Sequence, residues 1–314
     1  MPPKVLVTGG AGFIGSSLVR ALLDRGNAVR VIDNLSSGRR ANLEDVQSRI
    51  DWTEGDILDA ATLRRAADGV DCIFHQAAIP SVPRSMKAPL PSHEANASGT
   101  LQVLEVARAL SVRRVVYAGS SSAYGDTPVL PKVETMSPLP LSPYAVSKLT
   151  GEYYCQMYAR SMGVETVVLR YFNVFGPRQD PASQYAAVIP RFITVALAGG
   201  EPTVFGDGKQ SRDFCYIDNV VEANLLAAAA PAASGRVFNV ACGAATDLNG
   251  VLELLGQLVG RKVSARYEPS RGGDVKHSLA DIAAAQSVLG YQPKVLFPEG
   301  LRRTFEWFRT APAT

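Results

Sequence analysis

The sequence of 314 residues is poor in the residue types that bind metals or form disulfides. Its three histidines do not favour a histidine-based metal site, and we predict no bound metal. The cysteines form no Cys-x-x-Cys pair, which is typical of buried thiols in a reducing compartment. They are Cys72, Cys155, Cys215 and Cys242.

Net charge and long hydrophobic runs are also lacking. A formal charge of +3 predicts neither nucleic acid nor a membrane surface as a partner. No apolar run reaches the length of a membrane span. The first residues, Met1-Pro2-Pro3-Lys4, lead directly into a strand pattern, so we expect no signal peptide and a cytoplasmic protein.

The first 175 residues alternate short apolar runs with helical patterns, in a composition that is ordinary for a globular protein. Bounded, β-branched runs of this kind are typical of strands buried on both faces. Helical patterns cover about 13–26, 92–110 and 143–162. The alternation predicts an α/β fold with a doubly wound parallel sheet. The predicted strands are Val5–Val7, Val29–Ile32, Cys72–Phe74, Val115–Ala118 and Val167–Leu169.

The pattern changes after residue 175, where a loop rich in proline and glycine covers 176–181. We predict that 176–314 form mainly a smaller α/β lobe, with some segments returning to the main sheet. The predicted helices lie near 186–198, 218–230, 247–259, 280–289 and 298–309, and short strands lie near 236–240 and 263–267.

A glycine-rich turn follows the first predicted strand. Gly10-x-Gly12-x-x-Gly15 fits the dinucleotide pattern, in which glycines let backbone N–H groups approach a pyrophosphate at a helix N-terminus. Asp33 ends the second predicted strand, and a carboxylate there accepts hydrogen bonds from a ribose and repels a 2′-phosphate. We therefore predict NAD rather than NADP, held by residues 1–175. The alternative is a glycine turn that only packs a helix on a strand.

Two further loops fit the same cofactor. Asp56, in Gly55-Asp56-Ile57, is a candidate to approach the adenine, although an ordinary turn or helix-capping aspartate is the alternative. Gln76-Ala77-Ala78 ends a predicted strand with small residues, as needed where a cofactor crosses the strand ends.

Tyr144 and Lys148 are spaced i, i+4 on a predicted helix, so their side chains share one face. We expect the ammonium to lower the pKa of the tyrosine from about 10 and make it a usable base. The run Gly119–Gly125 supplies serine hydroxyls at a carboxyl edge of the sheet. The alternatives are a surface pair and a serine-rich turn, and the order of the three motifs argues against both.

Over nearly its whole length the sequence resembles the extended short-chain dehydrogenases, and within them the UDP-hexose 4-epimerases. It resembles most the bacterial UDP-N-acetylglucosamine 4-epimerases. The segments that carry this resemblance are Asp33–Gly38, Ser142–Lys148, Arg170–Gly176, Tyr185–Pro190 and Ser211–Asp218.

The resemblance implies a reversible oxidation at C4 of a UDP-sugar: Tyr144 takes the hydroxyl proton, C4 gives hydride to NAD, and the keto sugar turns before hydride returns. Ser120 would be the catalytic hydroxyl and Lys148 would tune Tyr144. The implied NAD-binding residues are Gly9, Gly12, Phe13, Ile14, Gly15, Asp33, Asn34, Leu35, Ser36, Ser37, Gly38, Asp56, Ile57, Gln76, Ala77, Ala78, Asn96, Ser120, Tyr144, Lys148 and Phe172. The implied substrate-binding residues are Ser120, Ser121, Tyr144, Asn173, Ala187, Val188, Val204, Phe205, Arg212, Arg271, Asp274 and Ser278.

Substrate and reaction class depend on a few positions. Related 4,6-dehydratases carry Asp-Glu where this sequence has Ser121-Ser122, and related decarboxylases carry Glu at Ser122, so neither reaction is favoured. A serine at 278, where glucose-restricted epimerases carry tyrosine, favours UDP-N-acetylglucosamine and UDP-N-acetylgalactosamine, with some activity on UDP-glucose and UDP-galactose. A UDP-glucuronate 4-epimerase and a non-catalytic nucleotide-binding regulator are the open alternatives. The resemblance also implies a homodimer through the helices at 92–110 and 143–162.

Overall fold

The computed structural model describes residues 3–181, 187–270 and 275–310. Its centre is a seven-stranded, fully parallel sheet in the order β3-β2-β1-β4-β5-β6-β11. This confirms the predicted doubly wound sheet. The strands of this sheet are β1 (Lys4–Thr8), β2 (Ala28–Asp33), β3 (Ile50–Glu54), β4 (Cys72–His75), β5 (Arg114–Ser120), β6 (Glu165–Tyr171) and β11 (Arg236–Val240).

Helices cover both faces of the sheet, which explains why its inner strands are mostly apolar and buried on both sides. Alternate residues of β1 show the division: Val5 and Val7 pack on one side with α1 and α8, and Leu6 packs on the other with α2, α5 and α6. The helices are α1 (Phe13–Asp24), α2 (Ala60–Ala67), α3 (Val82–Lys87), α4 (Pro89–His93), α5 (Gly99–Ala109), α6 (Pro143–Ser161), α7 (Val188–Leu197), α8 (Ile217–Ala229), α9 (Leu248–Val259), α10 (Ala283–Leu289) and α11 (Phe297–Thr310).

The lobe beyond β6 consists of helices joined by very short strands. They form three small sheets: β7 with β10, β8 with β13, and β9 between β12 and β14. From the same part of the chain, β11 returns to the main sheet beside β6. The short strands are β7 (Val174–Phe175), β8 (Thr203–Phe205), β9 (Ser211–Arg212), β10 (Cys215–Tyr216), β12 (Thr246–Asp247), β13 (Arg266–Glu268) and β14 (His277–Ser278).

Several elements differ from the sequence-based expectation. β3, α2 and α3 were not predicted, because β3 is a partly exposed edge strand and both helices are short. A strand was expected at 263–267, and the structure has it at 266–268, as β13. The expected helix at 92–110 is instead interrupted by a π-helical turn at Glu94–Ser98, which joins α4 to α5. Such turns are rare, and periodicity does not predict them.

The strand order reverses between β1 and β4, so their outgoing loops run in opposite directions and leave a crevice at the carboxyl edge. Ligands of open α/β sheets bind in such crevices. Within the described residues, no helix is both long and apolar enough to cross a membrane.

Candidate active site

The loop between β1 and α1 is built from glycines that the structure requires. Gly9 has φ +68°, and a Cβ there would lie 2.6 Å from the backbone nitrogen of Ala77. A Cβ on Gly15 would lie 2.1 Å from the carbonyl oxygen of Gly9. A side chain is therefore excluded at Gly9 by the segment after β4, and at Gly15 by the loop that precedes α1.

The first turn of α1 is suited to a phosphate. Gly12 is its N-terminal capping residue, and it has no side chain that could satisfy the free N–H groups. Phe13, Ile14 and Gly15 follow in that turn. Helix N-termini bind phosphates through such N–H groups and the helix dipole, so this site fits the pyrophosphate of a dinucleotide.

Asp33 lies at the carboxyl end of β2, and its buried carboxylate accepts two backbone bonds. Oδ2 accepts the N–H of Ala11 at 2.9 Å, and Oδ1 accepts that of Leu35 at 2.8 Å. Burial raises the pKa of Asp33, and these two bonds oppose the rise. Each carboxylate oxygen has a second acceptor position, which leaves Asp33 able to bind a ribose hydroxyl.

The segment after Asp33 forms the rim of the same site. Asn34, Ser36 and Ser37 are exposed, and a Cβ on Gly38 would lie 2.9 Å from Asp33 Oδ2. Asn34 Nδ2 donates to Asp56 Oδ2 at 2.8 Å, which places Asp56 beside this rim, and Asp56 Oδ1 accepts the backbone N–H of Leu58 as an ordinary turn aspartate does.

Ile57 is a different case, because its side chain is buried in the core. It lies against α5, where a Cβ on Gly99 would be 2.6 Å from its Cδ1. Only its backbone can therefore face a cofactor.

Gln76 belongs to a buried polar cluster that the sequence analysis missed. Its Nε2 donates to the hydroxyl of Tyr171 at 3.2 Å and to Oδ1 of Asn224 at 3.1 Å. Asn224 Nδ2 also donates to that hydroxyl at 2.8 Å. Tyr171 and Asn224 come from β6 and α8, and no local motif connects them to Gln76. The hydrogen bonds to Tyr171 and Asn224 fix the side chain of Gln76 just after the end of β4.

A second buried cluster lies beside the glycine loop. His75 Nδ1 lies 2.8 Å from Thr8 Oγ1, and its Nε2 lies 3.0 Å from Thr100 Oγ1. Burial, with a smaller contribution from Lys148, lowers the pKa of His75 to about 3, so the ring is neutral. Thr8 Oγ1 also accepts the N–H of Ala77 at 3.2 Å, so the cluster connects β1, β4 and α5.

Asn96 lies in the π-helical turn, and both the oxygen and the nitrogen of its side-chain amide form hydrogen bonds. Oδ1 accepts the N–H of Ile79 at 2.8 Å, and Nδ2 donates to Ser147 Oγ at 3.1 Å. Ser147 lies on α6 between Tyr144 and Lys148. The turn thus connects the chain beyond Ala78 to the helix of the candidate base.

Ser120, Tyr144 and Lys148 meet at the carboxyl edge of β5. Lys148 Nζ donates to the carbonyl of Ala118 at 3.0 Å and lies 5.1 Å from the centre of the Tyr117 ring. Ser120 ends β5, and its Oγ lies 2.8 Å from Ser122 Oγ. The tyrosine and the lysine therefore face the sheet side by side, as their spacing predicts.

The expected effect of Lys148 on Tyr144 is wrong for the protein as it stands. Burial raises the pKa of Tyr144, and the contact that opposes the rise is a hydrogen bond to Ser120, not the ammonium. Burial also lowers the pKa of Lys148 to about 8. The ammonium of Lys148 is directed at the backbone carbonyl of Ala118, and burial of the phenol decides the direction of the shift.

Phe172 is buried rather than open to the crevice. Its ring packs 6.0 Å from that of Tyr124, in a small cluster with Ala241 and Ala280. Its backbone N–H donates to the carbonyl of Val240 at 3.1 Å. A direct contact with a nicotinamide would thus need its backbone or one edge of the ring.

Three predicted substrate residues come together from distant parts of the sequence. Ser278 pairs with Arg212 in the register of β14 and β9. Asn173, in the loop after β6, donates from Nδ2 to Ser278 Oγ at 3.4 Å. Arg212 also donates to the carbonyl of Lys276 at 3.0 Å. Its neighbour Asp213 is fully buried in the core.

Asp213 anchors this corner. Its carboxylate accepts the backbone N–H groups of Cys242 at 2.8 Å, Gly243 at 3.0 Å and Ala280 at 3.2 Å. Burial raises its pKa to about 6, against these bonds. The sequence analysis assigned it no role, although it holds the loop after β11 and the segment after Ser278 in place.

A cavity of about 780 Å³ lies beside this corner. It is large enough for a nucleotide, and several of its basic side chains were not predicted. Among its lining residues are Val188, Arg191, Phe205, Gln210, Arg212 and Lys276. Asp126, just after the serine turn, lines it as well, so the cavity adjoins the catalytic edge.

The remaining predicted substrate residues are placed unevenly. Val204 is wholly buried in the core, so only its backbone can contribute. Ala187 is exposed at the start of α7, and Ser121 begins a short 3₁₀ turn after Ser120. Arg271 and Asp274 lie outside the described residues.

Comparison with known proteins agrees with this geometry. Residues 5–241 match the NAD dependent epimerase/dehydratase family. The chain belongs to this family. NAD is therefore its cofactor, as the glycine loop and Asp33 predict, and the chain is an enzyme of the extended short-chain dehydrogenase type.

Three relatives differ in the sugar that they use. A UDP-glucose 4-epimerase of Mycolicibacterium smegmatis is 39% identical, over 98% of each chain. A UDP-N-acetylglucosamine 4-epimerase of Methanobrevibacter ruminantium, solved with UDP-N-acetylmuramic acid, is 40% identical over 99% of each chain, with a TM-score of 0.94. A UDP-glucuronic acid 4-epimerase of Bacillus cereus, solved with its substrate and NAD, is 33% identical over 98% of this chain and 99% of its own, with a TM-score of 0.90.

The cysteine and metal predictions are also addressed by the structure. Cys72, Cys155 and Cys215 are buried, whereas Cys242 is only half-buried, and all four are free thiols. Over the described ranges, no group of histidine, cysteine and carboxylate side chains is arranged to hold a metal.

Proposed function

We propose that this protein inverts C4 of UDP-N-acetylglucosamine and UDP-N-acetylgalactosamine, with lower activity on UDP-glucose and UDP-galactose. The observation that carries the reaction is the meeting of Ser120, Tyr144 and Lys148 at one sheet edge, beside the glycine loop. The observation that carries the sugar is the contact between Asn173 and the small side chain of Ser278.

The glycine loop, the first turn of α1 and Asp33 would hold NAD. When bound, NAD would supply the two-electron oxidation of C4 and its reversal, and the positive charge of its oxidised ring would favour the phenolate of Tyr144.

Tyr144 takes the proton of the C4 hydroxyl and returns it to the same oxygen after the keto sugar has turned and presents its other face. Ser120 orients that hydroxyl and stabilises the phenolate by donating to it. Lys148, held on the Ala118 carbonyl, keeps a positive charge beneath the site below about pH 8. Together these residues position the proton transfer, which is worth about 10²–10⁴-fold in rate.

The sugar must turn between the two half-reactions, so the walls around it decide which sugars fit. Ser278 has a small side chain at the position that contacts Asn173. A tyrosine there would occupy the volume through which a 2-acetamido group must rotate. Arg212, beside it, is suited to the diphosphate because a guanidinium offers forked donors to phosphate oxygens.

The test is product analysis with UDP-N-acetylglucosamine, UDP-glucose and UDP-glucuronate side by side. We expect each acetylated or plain hexose to reach equilibrium with its C4 epimer, fastest for the acetylated sugar. Turnover of UDP-glucuronate alone would make that sugar the substrate. No epimer from any of the three, with NAD bound, would contradict the proposed reaction and favour a regulator.

We further propose a homodimer through α6 and the helices next to it. Val146 and Tyr153, both on α6, are 47% and 52% exposed, and Leu90 on α4 is 73% exposed. Isolated exposed apolar residues are common, but these lie on neighbouring helices.

Light scattering should give twice the chain mass, and Tyr153→Glu should give a monomer. Leu296→Glu, at an equally exposed site far along the chain, is the control and should stay dimeric.

A further inference from the structure

Glu152 and Arg170 form a buried ion pair directly behind the catalytic residues. Glu152 lies four residues after Lys148 on α6, so Tyr144, Lys148 and Glu152 follow one another on one helix face. Arg170 Nε donates to Glu152 Oε2 at 2.9 Å, and its Nη2 donates to Oε1 at 2.6 Å. Both side chains are 3% exposed.

Arg170 is also connected to the serine turn. It lies directly opposite Gly119, the residue before Ser120, in the register of β5 and β6. Its guanidinium carbon lies 4.6 Å from the centre of the Tyr124 ring. Tyr124 ends the 3₁₀ turn that starts just after Ser120, and its hydroxyl donates to Asn239 Oδ1 at 2.7 Å. One side chain therefore contacts both the helix of the base and the turn of the catalytic serine.

Stability does not account for this arrangement. Burying two charges has a large desolvation cost, and well-packed apolar replacements of buried ion pairs are often neutral or stabilising. Within the part of the chain that the structure describes, Nη1 of Arg170 has no hydrogen-bond partner, which adds to the cost. What an apolar pair could not reproduce is the fixed fork between α6 and β6.

We propose that Glu152, Arg170 and Tyr124 are positioning residues that hold the Ser120 turn against Tyr144 at the spacing that proton transfer needs. None of the three has to touch the substrate. This inference rests on the proposed function, because the proposed function gives Ser120 and Tyr144 their roles in the epimerisation. A small misplacement of such groups can reduce the rate by about a hundredfold.

The experiment replaces the ion pair by apolar side chains of similar length, in Glu152→Met/Arg170→Met. We expect kcat to fall about ten- to a hundredfold with KM, bound NAD and melting temperature near the wild-type values. A kcat within twofold of wild type would overturn the proposal. Wild-type protein is assayed in parallel. If the proposed function is wrong, the wild type itself shows no epimerisation, whereas if only the positioning role is wrong, wild type and variant are both active.

A matched control uses the arginine–glutamate pair that joins β5 to β6 at their opposite end. Arg114 and Glu165 lie opposite each other at the amino ends of β5 and β6, far from the serine turn, and their side chains are 2.7 Å apart. Arg114 also donates to the backbone carbonyls of Ala227 and Ala230, which a methionine would leave unpaired, so Arg114→Met/Glu165→Met should lower the melting temperature and leave kcat unchanged. An equal fall in kcat would show that the loss is not specific to the Arg170 site.

Tyr124 provides a second test if the double variant does not fold. Tyr124→Phe keeps a ring over Arg170 and should retain most of kcat. Tyr124→Leu removes the ring and leaves the ion pair intact, and it should lose kcat about tenfold at unchanged KM. Equal and near-normal kcat values for the two variants would contradict the proposal.

Discussion

The two binding regions of this protein are built differently. On the cofactor side, the groups proposed to bind NAD are mainly backbone N–H groups from one short segment, Gly9–Gly15, with one acid from the next strand. On the sugar side, the groups proposed to bind the substrate are side chains such as Asn173 and Ser278, which are 105 residues apart in the sequence. A local segment specifies the first region, whereas tertiary contacts assemble the second.

This difference follows from what each ligand needs. A pyrophosphate is bound by a helix N-terminus and a tight turn, and glycine at fixed spacing is enough to give both. A sugar that turns between half-reactions needs walls of a certain size on several sides. Short strands, here β9, β12 and β14, bring those walls together.

The largest expected effect is at the boundary of the two regions. Tyr144→Phe removes the oxygen that serves as the base, so kcat should fall about 10²–10⁴-fold on every sugar. NAD content and UDP affinity should change little, because the other binding groups of both regions remain in place. An epimerisation assay measures kcat, nucleotide released from denatured protein measures NAD content, and UDP titration measures the affinity. A variant with near-normal kcat would show that another group is the base.

Gly9→Ala should damage the cofactor side alone. The alanine would be held at a positive φ, and its Cβ would overlap the backbone of Ala77. No side-chain rotation can relieve that overlap. We expect about 2–4 kcal/mol lower free energy of unfolding, from strain and overpacking together, and loss of bound NAD. The control is Gly26→Ala, with φ +80° and no atom within 4 Å, which should bear only the backbone strain. Equal losses in both would show that the close approach to Ala77 is unimportant.

Ser278→Tyr should damage the sugar side alone, and only for one class of substrate. Overfilling a packed site costs about 1–3 kcal/mol, which corresponds to about ten- to a few-hundredfold in rate on the acetylated sugars. UDP-glucose turnover and NAD content should change little. Ser278→Ala keeps the space and serves as the control. Equal loss on acetylated and plain sugars would mean that Ser278 does not select the substrate.

The smallest expected effect concerns stability on the cofactor side as a function of pH. Burial lowers the pKa of His75 from its ordinary value of 6.5 to about 3 in the folded protein. Below pH 6.5 the unfolded chain therefore binds a proton that the folded protein excludes, and stability falls as the pH falls towards 3. Between pH 7 and 5 this loss is about 2 kcal/mol.

His75→Gln should remove that loss, since an amide can still bond to Thr8 and Thr100 without titrating. Urea unfolding of wild type and variant at pH 7 and 5 measures the difference, which cancels the titration of other groups. His93→Gln, at an exposed site, should behave like wild type. A variant with the full wild-type pH dependence would show that His75 is not its source.

Much of the catalytic edge could be predicted from the sequence, because its signals are local. The i, i+4 spacing of Tyr144 and Lys148 and the serines after β5 need only a helix and a strand. The sign of the pKa shift at Tyr144 could not be predicted in this way. It depends on how deeply the phenol is buried and on where the ammonium points, and the sequence contains neither.

The sequence by itself determined the parallel sheet, the cofactor loop and the candidates for the catalytic side chains. Bounded apolar runs, glycine spacing and helical spacing act over a few residues, so they hold in any surroundings that let the segment fold. Only the tertiary structure decided which side chains meet: Arg170 with Tyr124, Gln76 with Tyr171, and Asn173 with Ser278. Such pairs form because distant strands and helices pack into one core, and no local pattern records that packing.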